Sequence, residues 1–232
     1  MNFKNDLKIK LGLEISEEQE KLFEIYYQFL IEYNKITNLT RITEKEEVYY
    51  KHFYDSLTLA KTLNINSIQS VCDMGSGAGF PSIPLKIMYP HLRITIVDSL
   101  NKRIIFLQQL TVKLELHQVQ FVHNRVETFA LNHQNEFDLV TARALGDLSL
   151  ISEMGIPMTK IGGQFIAFKG NNYETELLES KKAIELLGGK LLDIEKYILP
   201  EQYGTHSHIV ISKIKQVKGF PRQFSIMSKN PL

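Results

Sequence analysis

From about residue 70 onward, short β-rich runs alternate with helical ones, and the first junction between them carries three glycines at every second position. Strands read near Ser70 to Met74, Arg93 to Asp98, Gln120 to His123, Phe137 to Ala142, Gln164 to Lys169, Leu191 to Tyr197 and His208 to Ile214. Helices read near Pro81 to Met88, Asn101 to Leu116, Leu148 to Thr159 and Tyr173 to Leu187. Alternation of this kind implies parallel βαβ units in one sheet covered by helices on both faces. The last two strands follow each other without a helix between them, which predicts an antiparallel hairpin at the end of the sheet.

The junction reads Val71-Cys72-Asp73-Met74-Gly75-Ser76-Gly77-Ala78-Gly79-Phe80-Pro81. Glycine has no Cβ, so such a turn can take positive φ and bring its backbone against a ligand. A dinucleotide fingerprint reads G-x-G-x-x-G, with its third glycine five positions after the first. Here Gly79 stands four positions after Gly75, and Phe80 fills the place of the third glycine. Asp73, two positions before the first glycine, suits a cofactor with a positive amine near the turn better than a phosphate. The spacing therefore favours S-adenosylmethionine over NAD, while an ordinary strand-to-helix corner remains the competing reading.

Ahead of this region, Ser16-Glu17-Glu18-Gln19 has the spacing of a capping box, and Leu22, Phe23, Tyr26, Phe29, Leu30 and Tyr33 follow at helical intervals. They predict an amphipathic helix of about five turns. A second capping-box spacing, Thr43-Glu44-Lys45-Glu46, predicts another helix ending near Asn64. Between them Asn34 to Thr40 is rich in side chains that bond locally to backbone. The expected organisation is a helical cap over 1–64, a cofactor-binding domain over 65–215 and a basic tail over 216–232.

With 232 residues, 44% hydrophobic and 23% charged, the chain has the composition of a soluble globular protein with a sizeable core. The first residues lack the layout of a signal peptide, and no apolar run is long enough to span a bilayer. A single cysteine, Cys72, fits a reducing compartment, so the expected location is the cytoplasm, with no membrane partner. Charge is unevenly spread. After Glu201 there is no acidic residue, whereas Lys213, Lys215, Lys218, Arg222 and Lys229 give the tail +5 against a whole-chain net charge of +1. Such a tail is either a phosphate-seeking arm or a solvated end that aids solubility.

In open sheets of this class, ligands bind beyond the carboxyl ends of the strands, where the winding order switches. Asp98 ends the second strand, where a carboxylate either accepts the hydroxyls of an adenosine ribose or caps the helix from Asn101. Arg125-Val126-Glu127 follows the third strand, a place beside adenine by fold analogy alone. Thr141-Ala142-Arg143-Ala144 ends the fourth strand, where a transferred group would face its acceptor, and Lys169 ends the fifth.

The acceptor is narrowed by what the chain lacks. The Asn- or Asp-Pro-Pro-aromatic signature of exocyclic amine methylation is missing at the fourth strand. Methylation at a base C5 needs a cysteine nucleophile, and Cys72 lies inside a strand. An acceptor that is already nucleophilic remains. Guanine N7 has a lone pair and no proton to lose, so alignment with the methyl donor is sufficient. Arg143 suits such a site because its fork can hold a phosphate or the O6/N7 edge, although a salt bridge at the sheet edge is an equal reading. Lys169 is a second cation at the same end, or a solvated strand end. His206 and His208, two apart on a strand, lack a third ligand nearby, and no metal is expected.

The whole chain resembles the bacterial small-subunit ribosomal RNA guanine-N7 methyltransferases called RsmG or GidB. The resemblance is carried by Asn38-Leu39-Thr40, Lys51-His52-Phe53-Tyr54-Asp55-Ser56, Asp73 to Pro81, and Val97-Asp98-Ser99-Leu100-Asn101-Lys102-Arg103. Arg125-Val126-Glu127, Thr141-Ala142-Arg143-Ala144, and a closing Pro221-Arg222 before Lys229-Asn230-Pro231 continue it in the family's order. It implies a Rossmann-like class I S-adenosylmethionine methyltransferase fold and a substrate in small-subunit ribosomal RNA or an assembling small subunit, with no obligatory protein partner. It further implies that Gly75, Phe80, Asp98, Val126 and Glu127 line the cofactor pocket, joined from the turn itself by Asp73, Gly77 and Gly79. Arg143 is then the catalytic residue beside donor and base. More loosely, it implies that Asn38, His52, Asp55, Lys169 and Arg222 lie around an RNA-facing side. Two other classes, an NAD-dependent oxidoreductase and a non-catalytic RNA-binding protein on the same fold, are the alternatives.

Overall fold

The computed structural model describes residues 2–171 and 173–232. Seven strands form one sheet: β1 (Ser70–Met74), β2 (Arg93–Asp98), β3 (Val119–His123), β4 (Phe137–Arg143), β5 (Thr159–Lys169), β6 (Gly189–Ile198) and β7 (Thr205–Lys213). Their spatial order is β3-β2-β1-β4-β5-β7-β6. β1 to β5 pair in parallel, whereas β7 runs antiparallel to both β5 and β6. The expected hairpin is present, and its returning strand inserts between β5 and β6, leaving β6 at the edge. Burial explains the choice: β7 carries Ile209, Val210 and Ile211, each at most 1% exposed, whereas β6 is largely exposed along its length.

A strand points successive side chains to opposite faces, and here that alternation sorts the core into two clusters. Val71, Leu139, Ile166 and Val210 pack on one face, with the N-terminal cap and the helices α6 (Ser82–Met88) and α7 (Asn101–Lys113). Cys72, Val140, Ala167 and Ile209 pack on the other, with α8 (Val126–Asn132), α9 (Leu148–Met158) and α10 (Tyr173–Leu186). Cys72 is the buried core residue its strand position predicts.

The cap is more elaborate than its sequence suggests. Ser16 and Gln19 complete a capping box with bonds of 3.1 and 3.0 Å at the start of α2 (Glu17–Asn34). The second expected box does not form. Glu44 takes the N-cap place without a side-chain bond, and α3 (Lys45–Val48) runs through a π-helical stretch, Tyr49–Tyr54, into α4 (Asp55–Leu57) and α5 (Leu59–Thr62). The wider turn of this stretch places Tyr49, Tyr50, Phe53 and Tyr54 all in the core. An additional α1 (Phe3–Asp6) opens the cap, tucking Phe3 edge-on against Phe23, Tyr49 and Tyr50. α8 was also unanticipated, although Val126, Phe129 and Ala130 at i, i+3 and i+4 make its buried stripe. At the C-terminus, α11 (Phe224–Lys229) buries Met227 on the α8–α9 face.

Candidate active site

The winding order reverses between β1 and β4, and a cleft of about 210 Å³ opens beyond their carboxyl ends. Its floor is the glycine turn, with Gly75, Ser76, Gly77, Ala78 and Phe80. Leu39, Thr40 and His52 come from the cap, Arg103 from α7, and Arg143, Ala144 and Leu145 from the end of β4.

The glycines serve different purposes. Gly77 has φ +62° and nothing within 4 Å of where a Cβ would stand, so its missing side chain leaves open space over the turn. Gly79 has φ +104°, and a Cβ there would come within 2.6 Å of the Tyr26 hydroxyl. That hydroxyl donates a 2.5 Å bond to Ala78 O, and the Tyr26 ring stacks on Phe80. Helix α2 is thereby fastened onto the glycine turn.

Asp73 lies beneath the turn, fully buried. Its Oδ1 accepts from the Thr141 hydroxyl at 3.1 Å and its Oδ2 from Ser82 N–H at 3.3 Å. Burial pushes its carboxyl up to about 6 against these bonds. Asp98 is 1% exposed. It accepts from Leu100 N–H (2.9 Å), Gly77 N–H (3.3 Å) and Arg103 Nη1 (3.2 Å), filling three of a carboxylate's roughly four acceptor sites. It therefore caps the chain entering α7 and braces the glycine turn, with room for one further donor.

Arg143 reaches back under the cap. Its Nε is 3.0 Å from Asp55 Oδ2, an ion pair off the in-line hydrogen-bond direction. Nη2 donates to Lys51 O at 2.5 Å and to His52 Nδ1 at 3.2 Å, while Nη1 is buried and has no partner in the protein. His52 stacks on Phe80, with ring centroids 4.4 Å apart. Burial, reinforced by Arg143, pushes the His52 imidazole down to about 3, so it is neutral at physiological pH. His52 Nδ1 stands between a donor and an acceptor, 3.2 Å from Arg143 Nη2 and 3.1 Å from Lys51 O, and its Nε2 is 3.1 Å from the Thr40 hydroxyl.

Asp55 was expected on an RNA-facing side; it is instead buried, 1% exposed in its side chain, beneath Arg143. Burial pushes its carboxyl up, but Arg143, His206 and Tyr197 outweigh that and hold it below its ordinary value. Lys169 is not a cation at the cleft. Its Nζ bonds Gly146 O at 2.7 Å and Glu176 Oε2 at 2.5 Å, tying the loop after β4 to α10. Arg222 is likewise committed. Its N–H and Nε donate to Glu153 Oε1 at 2.9 and 2.8 Å, and its Nη2 to Oε2 at 2.7 Å. The tail is thus pinned to α9 on the face opposite the cap. Val126 and Glu127 begin α8 and do not line the cleft, Glu127 lying 3.7 Å from Arg125. Asn38 is exposed, next to Leu39 and Thr40. That segment is shaped by Asn34, whose Oδ1 accepts from Leu39 and Thr40 N–H and whose Nδ2 donates to Thr40 O.

Sequence reasoning singled out neither Arg103 nor Thr40 as a site residue, although both stand inside motifs that carry the resemblance. Of the paired histidines, His206 Nδ1 is 2.8 Å from Asp55, and His208 is pinned by the hydroxyls of Thr58 and Thr62. Burial pushes His208 down to about 3, and both of its nitrogens are taken.

Comparison with known proteins gives this site a context. Solved structures with the same fold include TrmN from Thermus thermophilus, at TM-score 0.55 and 13% identity over 71% of this chain and 53% of that one. A variant of the 16S rRNA (adenine(1408)-N(1))-methyltransferase from Catenulisporales acidiphilia, with cosubstrate SAM, aligns at TM-score 0.54 and 14% identity, covering 65% of this chain and 87% of that one. Much more similar in sequence is the ribosomal RNA small subunit methyltransferase G of Macrococcus caseolyticus, 50% identical over 100% of this chain and 98% of that protein. The Bacillus subtilis protein of the same name is 47% identical over 95% of this chain and 94% of its own length. Residues 19–203 match the GidB family model, described as rRNA small subunit methyltransferase G. Such similarity sets the oxidoreductase alternative aside. With its cleft at the β1–β4 switch point and near-complete coverage by these relatives, the chain belongs to the rRNA small subunit methyltransferase G family.

Proposed function

We propose that this protein transfers the methyl group of S-adenosylmethionine to N7 of a guanine in small-subunit ribosomal RNA, by in-line displacement without a general base or a covalent intermediate. The observation that carries this reading is the make-up of the cleft. Among the described residues that line it there is no carboxylate, lysine or cysteine, and its one histidine is held neutral by burial with both ring nitrogens already in contact with protein groups. An acceptor that must lose a proton, or be attacked by a thiol, finds no group to assist it here. Guanine N7 needs neither.

The residues at the turn fit the cofactor. Open space over Gly77 leaves room for a ligand against the backbone, and Asp98 beside it keeps one acceptor site for a ribose hydroxyl. When bound, S-adenosylmethionine supplies an electrophilic methyl group on a sulfonium centre. Gly75, Gly77 and Phe80 shape the surface against which it rests, Gly79 lets Tyr26 and α7 pack against the far side of the turn, and Asp73 holds the turn from below. Val126 and Glu127 stand at the start of α8, beyond β3, where fold analogy puts adenine. Arg143 Nη1, buried and unpartnered, offers a preorganised donor to the acceptor's O6 edge, leaving N7 open. His52 and Phe80 stand beside it, with the Phe80 ring stacked by His52 and Tyr26 so that this wall of the cleft is held rigid.

The substrate on this reading is small-subunit ribosomal RNA or an assembling small subunit, and the location is the cytoplasm. No helix of the described residues is long and apolar enough to cross a membrane. The test is methyl transfer to small subunits from cells lacking the gene, with the product mapped by its alkali-labile 7-methylguanine. Label that never enters RNA, or that enters an alkali-stable position, overturns the reading.

A further inference from the structure

Arg143 is a long, flexible side chain whose use depends on being held still, and the groups that hold it come from across the sheet. Asp55 Oδ2 faces Arg143 Nε, and Asp55 Oδ1 accepts from Tyr197 Oη at 2.9 Å and lies 2.8 Å from His206 Nδ1. Tyr197 and His206 are directly opposite each other in the β6–β7 register. Their side chains point to the cap face, as do Val210 and Phe168 in the same two-residue alternation. The hairpin stands beyond β5 from Arg143, yet delivers two side chains to one carboxylate oxygen.

We propose that Tyr197 and His206 are positioning residues for methyl transfer: they fix Asp55, Asp55 fixes Arg143, and Arg143 is thereby held in place at the wall of the cleft. This rests on the reading of Arg143 given above. An arginine anchored through Nε and Nη2 keeps its remaining nitrogen in a set direction, and here that nitrogen is buried without a protein partner. A carboxylate bonded to Arg143 alone would leave Oδ1 unsatisfied in the interior and free to turn. Two donors on Oδ1 leave only Oδ2 for the guanidinium. Tyr197 is itself wedged by ring contacts with His206 and His208, at 6.0 and 4.7 Å between centroids.

The test uses the full-length protein with small ribosomal subunits lacking the modification. Tyr197→Phe and His206→Ala each lower kcat about tenfold, the loss expected for one hydrogen bond to a charged group. KM and the affinity for S-adenosylmethionine stay within about twofold. His206→Asn, whose amide can donate where Nδ1 stands, recovers most of the rate. Combined with Arg143→Ala, Tyr197→Phe has no further effect, because the pathway runs through that arginine. A full tenfold loss in the Arg143→Ala background, or cofactor affinity falling in step with kcat, overturns the proposal. A second readout does not need activity. The Arg143 Nε–H signal, identified in nitrogen-15 spectra by its loss in Arg143→Lys, exchanges with water at least tenfold faster in Tyr197→Phe and His206→Ala. Unchanged exchange overturns the positioning role even if wild-type protein methylates RNA. Faster exchange in a wild type that methylates no RNA sustains positioning and discards the proposed reaction instead.

Discussion

Arg143 and Arg222 each meet a carboxylate whose side chain is 1% exposed, yet the two pairs are built differently. Arg222 lays its Nε and Nη2 edge along both oxygens of Glu153, adds its own backbone N–H, and gives Nη2 to Asn230 O as well. Arg143 touches only one oxygen of Asp55, because Tyr197 and His206 occupy the other. Its Nη1 is buried with nothing to bond inside the protein, in a side chain that lines a cleft. A side-on pair that uses both carboxylate oxygens closes a tail onto a helix. An end-on pair leaves a donor to be used by something else. The family resemblance grouped both arginines with the substrate side; their bonding separates them.

The largest expected effect tests the open pair. Arg143→Ala lowers the rate of methyl transfer by about 10³-fold, the scale of losing a preorganised donor, with cofactor affinity changed only a few-fold. Single-turnover methylation and calorimetric binding measure the two, and a rate within tenfold of wild type breaks the contrast. Next comes the closed pair. Glu153→Ala, which strands Arg222, destabilises the protein by about 3 kcal/mol in urea unfolding and leaves activity per folded molecule nearly intact. Arg222→Ala likewise costs stability and leaves the dependence of RNA affinity on log salt unchanged. A decrease of about one in that slope would return Arg222 to the RNA.

Asp73 extends the comparison to a buried carboxylate with no cation among its bonded partners. Burial raises its carboxyl to about 6, so between about pH 4 and 6 the folded protein keeps a proton that the unfolded chain has lost. Stability from this group is therefore greatest below about pH 4 and falls as pH rises towards 6, by on the order of 3 kcal/mol. Urea titrations at several pH values should show that slope in the wild type and not in Asp73→Asn; an equal slope in both assigns it to another group. The smallest effect concerns Ala144, which follows Arg143 with φ +52°. Ala144→Gly relieves backbone strain and changes stability by under about 1 kcal/mol, while methyl transfer slows a few-fold as the anchor of Arg143 loosens. A rate equal to wild type would show that the side-chain contacts alone hold the arginine.

Much of the scaffold was legible because its signals are local. Alternating apolar residues mark β1 and β2 to the residue, Ser16 and Gln19 mark the start of α2, and the glycine turn marks the end of the sheet where the cleft opens. The misses have equally local reasons. α8 has only seven residues, too few for a periodic pattern to stand out, and the spacing Thr43 to Glu46 matched a capping box that the chain does not form. Thr43 O instead accepts from the Tyr27 hydroxyl.

By itself, the sequence determined the alternation of strands and helices, the turn whose spacing favours S-adenosylmethionine, the helical cap, and the family resemblance later borne out over nearly the whole chain. Periodicity, turn chemistry and motif order need only neighbours along the chain. Tertiary structure decided which cations are spent and which keep a donor unpaired. Arg222 finds Glu153 across 69 residues, Tyr197 finds Asp55 across 142, and Arg143 and His52 meet across 91. No sequence window contains these pairings. They depend on which face of the sheet each side chain takes and on what the opposite layer offers, and burial then makes every unmatched donor costly enough to matter. Lys169 and Arg222 read as surface cations until partners appear, whereas Arg143, like Arg103 across the cleft, keeps one buried nitrogen without a partner.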